Sequence, residues 1–335
     1  MTHPALTPPL LQMADGRPVA AADWPARREA LLGPLVDLQY GGMPPAPDHV
    51  AHVTLIQHEV RWLGDAPHEQ HHVTARVGSG SVTFLLDVLR PPGDGPFPVL
   101  LAGDGCWRYV RDAVATAVLD AGFALATFNR CELAHDPWPA ERRGPLFDAC
   151  PGATFGALSA WAWGYQRCLD VIAQLDGLDA RRVAIIGHSR GGKTVLLAAA
   201  TDPRIAAVSC NASGCGGAGS FIVRNDGSER VGDIIRFTHW FGPRFADYAD
   251  REHDLPFDQH VLLAAIAPRP LITIEAAEDK WANGEGTRAV HAATRPVYDL
   301  LGAPQHLRLH ERPGRHTHAL EDWQASLAFF RQTLA

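Results

Sequence analysis

The stretch Val183–Gly191 reads VAIIGHSRG and decides the fold, because it joins a predicted strand to a predicted helix within a few residues. The apolar run before the serine is typical of a buried strand, and Lys193–Ala199, KTVLLAA, is typical of a helix. Glycines two residues before and after Ser189 let the flanking backbones pass closely in a sharp turn. Such a turn leaves the Ser189 hydroxyl exposed at the end of the strand, where it can act as a nucleophile.

Outward from this turn, strands and helices alternate along most of the chain. Strands are predicted at residues 99–102, 123–128, 183–186, 205–209, 271–274 and 307–310, and helices at residues 110–119, 160–175 and from Glu321 onward. This alternation predicts a mostly parallel sheet with helices on both faces, which is a three-layer αβα sandwich. We expect the ligand crevice at the edge where the carboxyl ends of the parallel strands lie.

Two parts of the chain depart from that alternation. Residues 1–50 contain a predicted helix at 24–38 and are expected to wrap around the main domain. Residues 53–62 and 72–89 predict antiparallel strands that open the sheet, and the second range is interrupted by a glycine-containing turn. Residues 212–259 are too long for a simple loop and are expected to form a lid or insertion over the crevice.

The composition is that of a packed globular protein, with 46% hydrophobic and 20% charged residues, and we expect one α/β domain over residues 1–335. The net charge of −7 and the absence of a Lys/Arg-rich run argue against a nucleic-acid partner. No stretch of about 18 apolar residues predicts a membrane span. The N-terminal sequence lacks a signal-peptide pattern, so a cytoplasmic location is expected, although a secreted chain whose signal had been removed would read the same.

The six cysteines show neither a C-x-x-C pair nor zinc-type spacing, so we expect reduced thiols. His316 and His318 are an alternative metal-binding pair, but the sequence offers no evident third ligand. We therefore expect no metal, and no cofactor, because chemistry at a serine nucleophile requires none.

A serine nucleophile in this type of turn needs a histidine to accept its proton and an acid to orient the histidine, in the chain order serine, acid, histidine. Asp279 follows the strand predicted at 271–274, and His316 follows the strand predicted at 307–310. These two residues are the favoured acid and base. Glu278 is the alternative acid and His318 the alternative base, and a plain solvated acidic turn is the non-functional interpretation of residues 278 and 279.

Three further residues are expected to complete the site. The backbone N–H of Arg190, with a second donor from Gly103–Cys106, is expected to bind the developing oxyanion. The Arg190 guanidinium either adds positive charge there or only anchors the turn by pairing with a carboxylate. Lys193 lies on the first turn of the following helix and can face the same crevice. Trp281, just after Asp279, offers an indole face and one N–H to a sugar ring, although a tryptophan is more often part of a core.

Several separate motifs, taken together and in this order, resemble the glucuronoyl esterases of carbohydrate esterase family 15. The resemblance runs from about Trp24 to the carboxyl terminus and is strongest from Ala160 onward. The motifs are Gly187–Lys193, Ser213–Ala218, His239–Phe241, Leu255–His260, Ile266–Pro270 and Asp279–Asn283.

The resemblance implies an α/β hydrolase that cleaves esters of glucuronate or 4-O-methyl-glucuronate side groups of xylan, releasing lignin alcohols or methanol. By position, Ser189 resembles the nucleophile, His316 the base and Arg190 the oxyanion-stabilising arginine. Lys193 and Trp281 resemble the residues that hold the sugar hydroxyls. Glu229 resembles the sugar-binding glutamate. The expected partner is accordingly a small-molecule or oligosaccharide uronate ester.

Three positions depart from the family pattern. Ala212 stands where many members, especially fungal ones, place the triad acid, so the acid is expected from the later loop, at Asp279. His188 replaces the cysteine that commonly precedes the serine, and Thr317 follows His316, so the disulfide that tethers the histidine in fungal members cannot form.

Two other functions stay open on the sequence alone. A carbohydrate acetyl esterase or a dienelactone-type hydrolase would use the same machinery on another acyl group. An inactive homologue that only binds carbohydrate would keep the fold, but a binding protein has no need of a complete serine, histidine and acid set.

Overall fold

The computed structural model describes residues 5–334, and within that range nine strands form one sheet. Their order across the sheet is β1-β2-β3-β5-β4-β6-β7-β8-β9. The strands are β1 (His49–Val60), β2 (Ala66–Val77), β3 (Gly80–Leu89), β4 (Phe97–Ala102), β5 (Ala124–Phe128), β6 (Leu178–His188), β7 (Ala207–Asn211), β8 (Leu271–Ala276) and β9 (Leu307–Arg312).

The sheet has an antiparallel start and a parallel body, as predicted. Strands β1, β2 and β3 pair antiparallel, and β3 joins the rest through an antiparallel pairing with β5. The six strands from β4 to β9 pair only parallel with one another. Their carboxyl ends therefore lie at one edge of the sheet.

The helices of the described range connect and cover these strands. They are α1 (Trp24–Gln39), α2 (Asp112–Asp120), α3 (Pro145–Ala149), α4 (Ala157–Ile172), α5 (Arg190–Thr201), α6 (Val231–Ile234), α7 (His260–Ala264), α8 (Gly284–Leu300) and α9 (Leu320–Thr333). The sequence prediction missed α8, because it opens on Gly284 and Gly286 and contains Pro296, all of which are poor helix formers. The side chain of Asn283, which accepts from Gly286 N at 3.1 Å, caps its start instead.

Alternate residues of each central strand pack on opposite faces of the sheet. In β4, Val99 and Leu101 belong to the core beneath α4 and α5, whereas Leu100 and Ala102 belong to the core beneath α2 and α9. A strand covered on both faces reads as a continuous apolar run, which is why the periodicity of these segments predicted it. The predicted three-layer α/β-hydrolase architecture is confirmed.

The inserted segment 212–259 packs closely against the rest of the protein. Its side chains Phe221, Trp240 and Phe245 are buried. Gly242 N donates to Gln39 O at 2.9 Å, at the end of α1, so the insertion and the N-terminal segment hold each other. That the insertion acts as a lid stays a prediction.

The N-terminal segment packs across the edge of the main body over the part that the structure describes. Arg28 of α1 donates to Ala265 O at 2.7 Å, beyond α7. His260 Nε2 lies 2.9 Å from Pro8 O, near the start of the chain. Residues 1–4 of the predicted wrapping segment lie outside the described residues. Between residues 5 and 334, no helix combines the length and apolar character needed to cross a bilayer.

The last strand is fixed to the last helix by a buried ion pair. Arg312 Nε donates to Asp322 Oδ1 at 2.5 Å, and Arg312 Nη2 donates to Asp322 Oδ2 at 2.9 Å. The same guanidinium also donates to Pro313 O at 2.9 Å and to Thr317 O at 3.0 Å. Arg312 therefore orders the whole connection between β9 and α9.

We predict that Asp322→Ala destabilises the protein by about 3–5 kcal/mol, because it leaves the buried Arg312 charge without its partner. Urea unfolding followed by circular dichroism measures the change. Glu321→Ala is the matched control, since Glu321 is 63% exposed and 3.4 Å from Arg312, and it should cost less than about 1 kcal/mol. Equal losses in the two variants would contradict a special role for the buried pair.

Candidate active site

The turn between β6 and α5 has the strained geometry that its sequence predicts. Ser189 has φ 57° and ψ −122°, a conformation that a non-glycine residue adopts only where the surroundings enforce it. A Cβ at Gly187 would lie 2.4 Å from the backbone oxygen of Gly191, so residue 187 must be glycine. Ser189 N donates to Asn211 O at 2.8 Å, which holds the turn against the end of β7.

A buried carboxylate supports this turn from below. Asp104, two residues after the end of β4, accepts from His188 N at 2.9 Å through Oδ2. Its Oδ1 pairs with the fully buried Arg130, which follows β5. A Cβ at Gly191 would lie 2.3 Å from Asp104 Oδ1, so the start of α5 lies directly against this carboxylate.

The structure brings Asp279 and His316 together. Asp279 is buried in the turn after β8, and His316 lies in the loop after β9, with His316 Nδ1 and Asp279 Oδ2 2.5 Å apart. Glu278 is exposed and instead binds the backbone of Gly314, through Gly314 N to Oε1 at 3.1 Å and Glu278 N to Gly314 O at 3.1 Å. Glu278 thus holds the histidine loop, while Asp279 contacts the imidazole.

The other histidine of this loop, His318, lies on the inner side. Its ring is buried and stacks on Trp323 with 4.8 Å between ring centres. Both ring nitrogens lack a hydrogen-bond partner among the described residues. Burial lowers the pKa of His318, so the ring is neutral. Within residues 5–334, no group of three or more His, Cys, Asp or Glu side chains is arranged to hold a metal ion.

His316 is accessible from solvent, in contrast to the buried Asp279 and His318. Its side chain is 36% exposed and lies beside a cavity of about 430 Å³ that is also lined by Tyr109 and Leu320. In residues 5–334 no hydrogen bond joins Ser189 Oγ to His316. The ring of His188, the residue before the serine, is 4.6 Å from the His316 ring, so the serine and the histidine share one edge of the sheet.

Arg190 is the first residue of α5, so its backbone N–H has no partner within the helix. Its guanidinium is partly exposed and lies over the Trp240 ring, 4.4 Å from the ring centre. Arg190 Nη1 donates to Asp136 Oδ2 at 2.8 Å, which is the carboxylate pairing considered from the sequence. In the early loop, Gly103 N already donates to Tyr165 Oη at 2.7 Å, so the second oxyanion donor expected from Gly103–Cys106 is not Gly103 N.

Lys193 and Glu229 form a buried pair next to this turn. Lys193 Nζ donates to Glu229 Oε2 at 2.7 Å and to two backbone carbonyls, Ser213 O and Cys215 O, both at 2.6 Å. All three ammonium protons are therefore used within the protein. Burial raises the pKa of Glu229, and the nearby charge of Lys193 opposes that rise. Glu229 N donates to Trp281 O at 3.0 Å, so the three predicted sugar-binding residues are in contact, and Trp281 is 47% exposed.

Comparison with known proteins decides the family. The family model described as "Glucuronyl esterase, fungi" matches residues 73–302 of this chain. The chain belongs to the glucuronyl esterase family. A curated family relative, the 4-O-methyl-glucuronoyl methylesterase of Podospora anserina, is 30% identical over 295 residues, which are 84% of this chain and 57% of the relative. The matches span about half the length of two curated relatives, 44% and 57%.

Solved structures of glucuronoyl esterases superpose on the whole fold. The carbohydrate esterase family 15 glucuronoyl esterase from Caldicellulosiruptor kristjansonii has a TM-score of 0.87 and 27% identity, over 99% of this chain and 91% of that chain. A serine-to-alanine mutant glucuronoyl esterase from Sporotrichum thermophile, in complex with methyl 4-O-methyl-β-D-glucopyranuronate, has a TM-score of 0.79 and 25% identity, over 98% and 87% of the two chains. The family resemblance found in the sequence is confirmed.

Sequence reasoning missed the carboxylate that holds Arg190. Asp136 accepts from Arg190, from His239 Nε2 at 2.9 Å and from Trp240 Nε1 at 2.9 Å. Burial alone would raise the pKa of Asp136, but the His239 hydrogen bond and the Arg190 charge lower it below its ordinary range, so the group stays ionised. The family motif at His239–Phe241 was the available signal, but nothing near Asp136 in the sequence pointed to it.

Asn283 was the second residue without an assigned role. Its amide donates to Ser220 O at 3.1 Å and to Val223 O at 2.9 Å, and its carbonyl accepts from Asn225 N at 3.2 Å. The residue thus joins the inserted segment to the loop of Asp279. Its position at the end of a family motif was the only sequence signal.

We predict that Gly191→Ala lowers the free energy of unfolding by about 1–3 kcal/mol, because the new methyl group displaces the Asp104 carboxylate from His188 N and Arg130. Thermal and urea unfolding measure the loss. Gly33→Ala in α1 is the control, because its added Cβ meets nothing within 4 Å and it should be neutral or stabilising by up to about 1 kcal/mol. A Gly191→Ala protein as stable as the parent would disprove the close packing under the turn.

Proposed function

We propose that this protein is a serine esterase that hydrolyses esters of glucuronic or 4-O-methyl-glucuronic acid through an acyl-enzyme. Membership of the glucuronyl esterase family supports the reaction class, and the Sporotrichum relative in complex with methyl 4-O-methyl-β-D-glucopyranuronate supports a uronate acyl group. The substrate we propose is a small or oligosaccharide uronate ester. The cytoplasmic location stays a prediction from the sequence.

The observation that carries the proposal is the 2.5 Å contact of His316 Nδ1 with Asp279 Oδ2, beside a serine held at φ 57°. With Nδ1–H donated to Asp279, the imidazole has its lone pair on Nε2 and can accept the Ser189 proton. Ser189 Oγ then bonds to the ester carbonyl carbon. Collapse of the tetrahedral intermediate breaks the bond to the alkoxy oxygen, which leaves with the proton from His316 as the alcohol.

Water completes the cycle at the acyl-enzyme. His316 removes a proton from the water while its oxygen bonds to the acyl carbon, and the same proton returns to Ser189 Oγ as the free acid leaves. The partial exposure of His316 gives water a route to its ring. The role of Asp279 is to orient the ring and to stabilise the imidazolium that forms in each half of the cycle.

Positive charge and free N–H groups meet where the oxyanion forms. The Arg190 N–H stands at the amino-terminal end of α5, where the helix dipole favours negative charge. The guanidinium, held by Asp136 and by the Trp240 face, is fixed before substrate arrives. Preorganised charge of this kind stabilises the transition state without reorganisation during the reaction.

The acyl side of the site is polar, which favours a hydroxyl-rich acid over an acetyl group. Glu229 is a buried acceptor positioned by Lys193, and the exposed Trp281 ring offers a flat face for a sugar. Lys193 already makes three hydrogen bonds, so its main role is to position the Glu229 carboxylate. A direct bond from Lys193 to a sugar hydroxyl would have to replace one of these three.

We predict that the protein hydrolyses methyl and benzyl glucuronate, and that Ser189→Ala lowers kcat by about 10⁴–10⁶-fold while sugar binding persists. Hydrolysis is followed by release of the free acid, and binding by calorimetry with the variant. The same assay on p-nitrophenyl acetate and acetylated sugars is the control for substrate class. Activity on the acetates with none on any uronate ester would remove the proposed substrate and favour an acetyl esterase.

We predict that Asp279→Asn lowers kcat by about 10³–10⁴-fold, because the amide no longer selects the Nδ1–H tautomer or stabilises the imidazolium. Glu278→Gln is the adjacent control, since glutamine keeps the carbonyl oxygen that accepts from Gly314 N, and its kcat should stay within about twofold. The reverse ranking of the two variants would reassign the acid to Glu278.

A further inference from the structure

Among residues 5–334, the side chain of His316 makes a single hydrogen bond, at Nδ1. Its other nitrogen must nevertheless stay directed toward Ser189 through two proton transfers. One hydrogen bond allows a ring to rock about that contact, and a displacement of about 1 Å at a reacting atom can cost roughly 100-fold in rate. A second contact is therefore needed to limit the orientation of this partly exposed ring.

A column of rings lies against His316 on the protein side. His188 contacts it directly, with 4.6 Å between ring centres and an interplanar angle of 47°. Behind His188, the His318 ring is stacked at 5.5 Å and 17°, and Trp323 of α9 is stacked on His318 at 4.8 Å and 22°. Tyr109 meets His188 and His318 edge-on at 5.3 and 5.4 Å.

Unlike His316, His188 is held both at its backbone and at its ring. Its backbone N–H donates to Asp104 Oδ2 at 2.9 Å, and its ring Nδ1 is hydrogen-bonded to Asn211 Oδ1 at the end of β7. Its ring is 2% exposed. The ring that touches His316 is therefore held by groups at the ends of β4 and β7.

The ring is also uncharged when the site works. Burial, with a smaller effect from the neighbouring His316, lowers the pKa of His188 to about 4. A neutral ring packs against His316 without repelling the imidazolium that forms when Ser189 gives up its proton.

We propose that His188 is a positioning residue, whose clamped neutral ring fixes the orientation of His316 toward Ser189. The inference rests on the proposed serine-esterase function and deepens it. Asp279 holds one edge of the imidazole by a hydrogen bond, and His188 restricts the tilt of the ring by contact with it. In this proposal His188 acts through His316 and takes no part in bond formation or proton transfer.

Two substitutions of His188 separate the effect of its ring contact with His316 from the effect of its hydrogen bond to Asn211. His188→Phe keeps a ring against His316 but leaves the Asn211 amide without its partner, so it should lower the melting temperature and keep kcat within about threefold. His188→Asn keeps an amide that can bond to Asn211 but has no ring, so it should lower kcat by about 10- to 100-fold with KM within about twofold. If His188 only stabilised the fold, kcat scaled to the folded fraction would stay at the parental value in both variants.

The measurement has two arms, both scaled to the folded fraction found by circular dichroism in the same sample. The first is kcat and KM on methyl glucuronate. The second is the rate of labelling by a fluorophosphonate, in which Ser189 Oγ bonds to phosphorus and fluoride leaves, with the Ser189 proton taken by His316. Labelling needs no uronate group, so it reports the serine and histidine pair independently of substrate class.

His291 supplies the matched control. It is also a buried histidine with one side-chain hydrogen bond, to Thr273 Oγ1 at 2.6 Å, and burial lowers its pKa to about 3, but it lies on α8. His291→Phe and His291→Asn should lower the melting temperature and leave the labelling rate unchanged.

The expected result is slow labelling and low kcat in His188→Asn, with near-parental values in His188→Phe. Equal losses in both variants, a loss only in His188→Phe, or parental rates in His188→Asn would each overturn the proposal. If His188→Asn does not fold, His188→Leu, which is apolar and ringless, takes its place with the same expected ranking. A parent that labels but hydrolyses no uronate ester removes only the proposed substrate, whereas a parent that does not label removes both proposals.

Discussion

The carboxylate of Asp104 connects the carboxyl ends of three neighbouring strands, and the geometry of the site depends on it. In the sheet, β5, β4 and β6 are adjacent, and Asp104 after β4 binds Arg130 after β5 and the backbone of His188 at the end of β6. A buried carboxylate is tolerated only where such partners compensate for its desolvation. The same carboxylate lies against Gly191, so the strained turn at Ser189 and the start of α5 rest on it.

The predicted acid and base reach this turn from β8 and β9, the last two strands at one end of the sheet. Asp279 follows β8 and His316 follows β9, and Glu278 binds the backbone of Gly314 to hold the two loops together. Beside the Asp279 loop, the insertion contributes Glu229, which Lys193 of α5 and the Trp281 backbone keep in place. Residues separated by more than a hundred positions thus meet because parallel strands end at one edge.

The sequence predicted those features whose cause is local, and it missed those whose cause is a distant contact. The central strands, most of the long helices and the turn at Ser189 follow from apolar runs, periodicity and glycine spacing, so their positions were predicted within a few residues. Helix α8 was missed because its start depends on the Asn283 side chain rather than on helix formers. The choice between Glu278 and Asp279 stayed open, because neighbouring residues in a turn point in different directions that only the fold determines. The role of Asp136 could not be predicted, because its partners Arg190 and His239 lie more than fifty residues away in the sequence.

The buried pair of Arg312 and Asp322 has a consequence for the carboxyl-terminal helix. Because Asp322 belongs to α9 and Arg312 also holds Thr317 O, the loop that carries His316 takes its shape from the carboxyl-terminal helix. Trp323 of the same helix supports the ring column behind the histidine. Loss of α9 would therefore remove both supports of the His316 loop at once, and it would also uncover the apolar face of the sheet on which Trp323 and Phe330 pack.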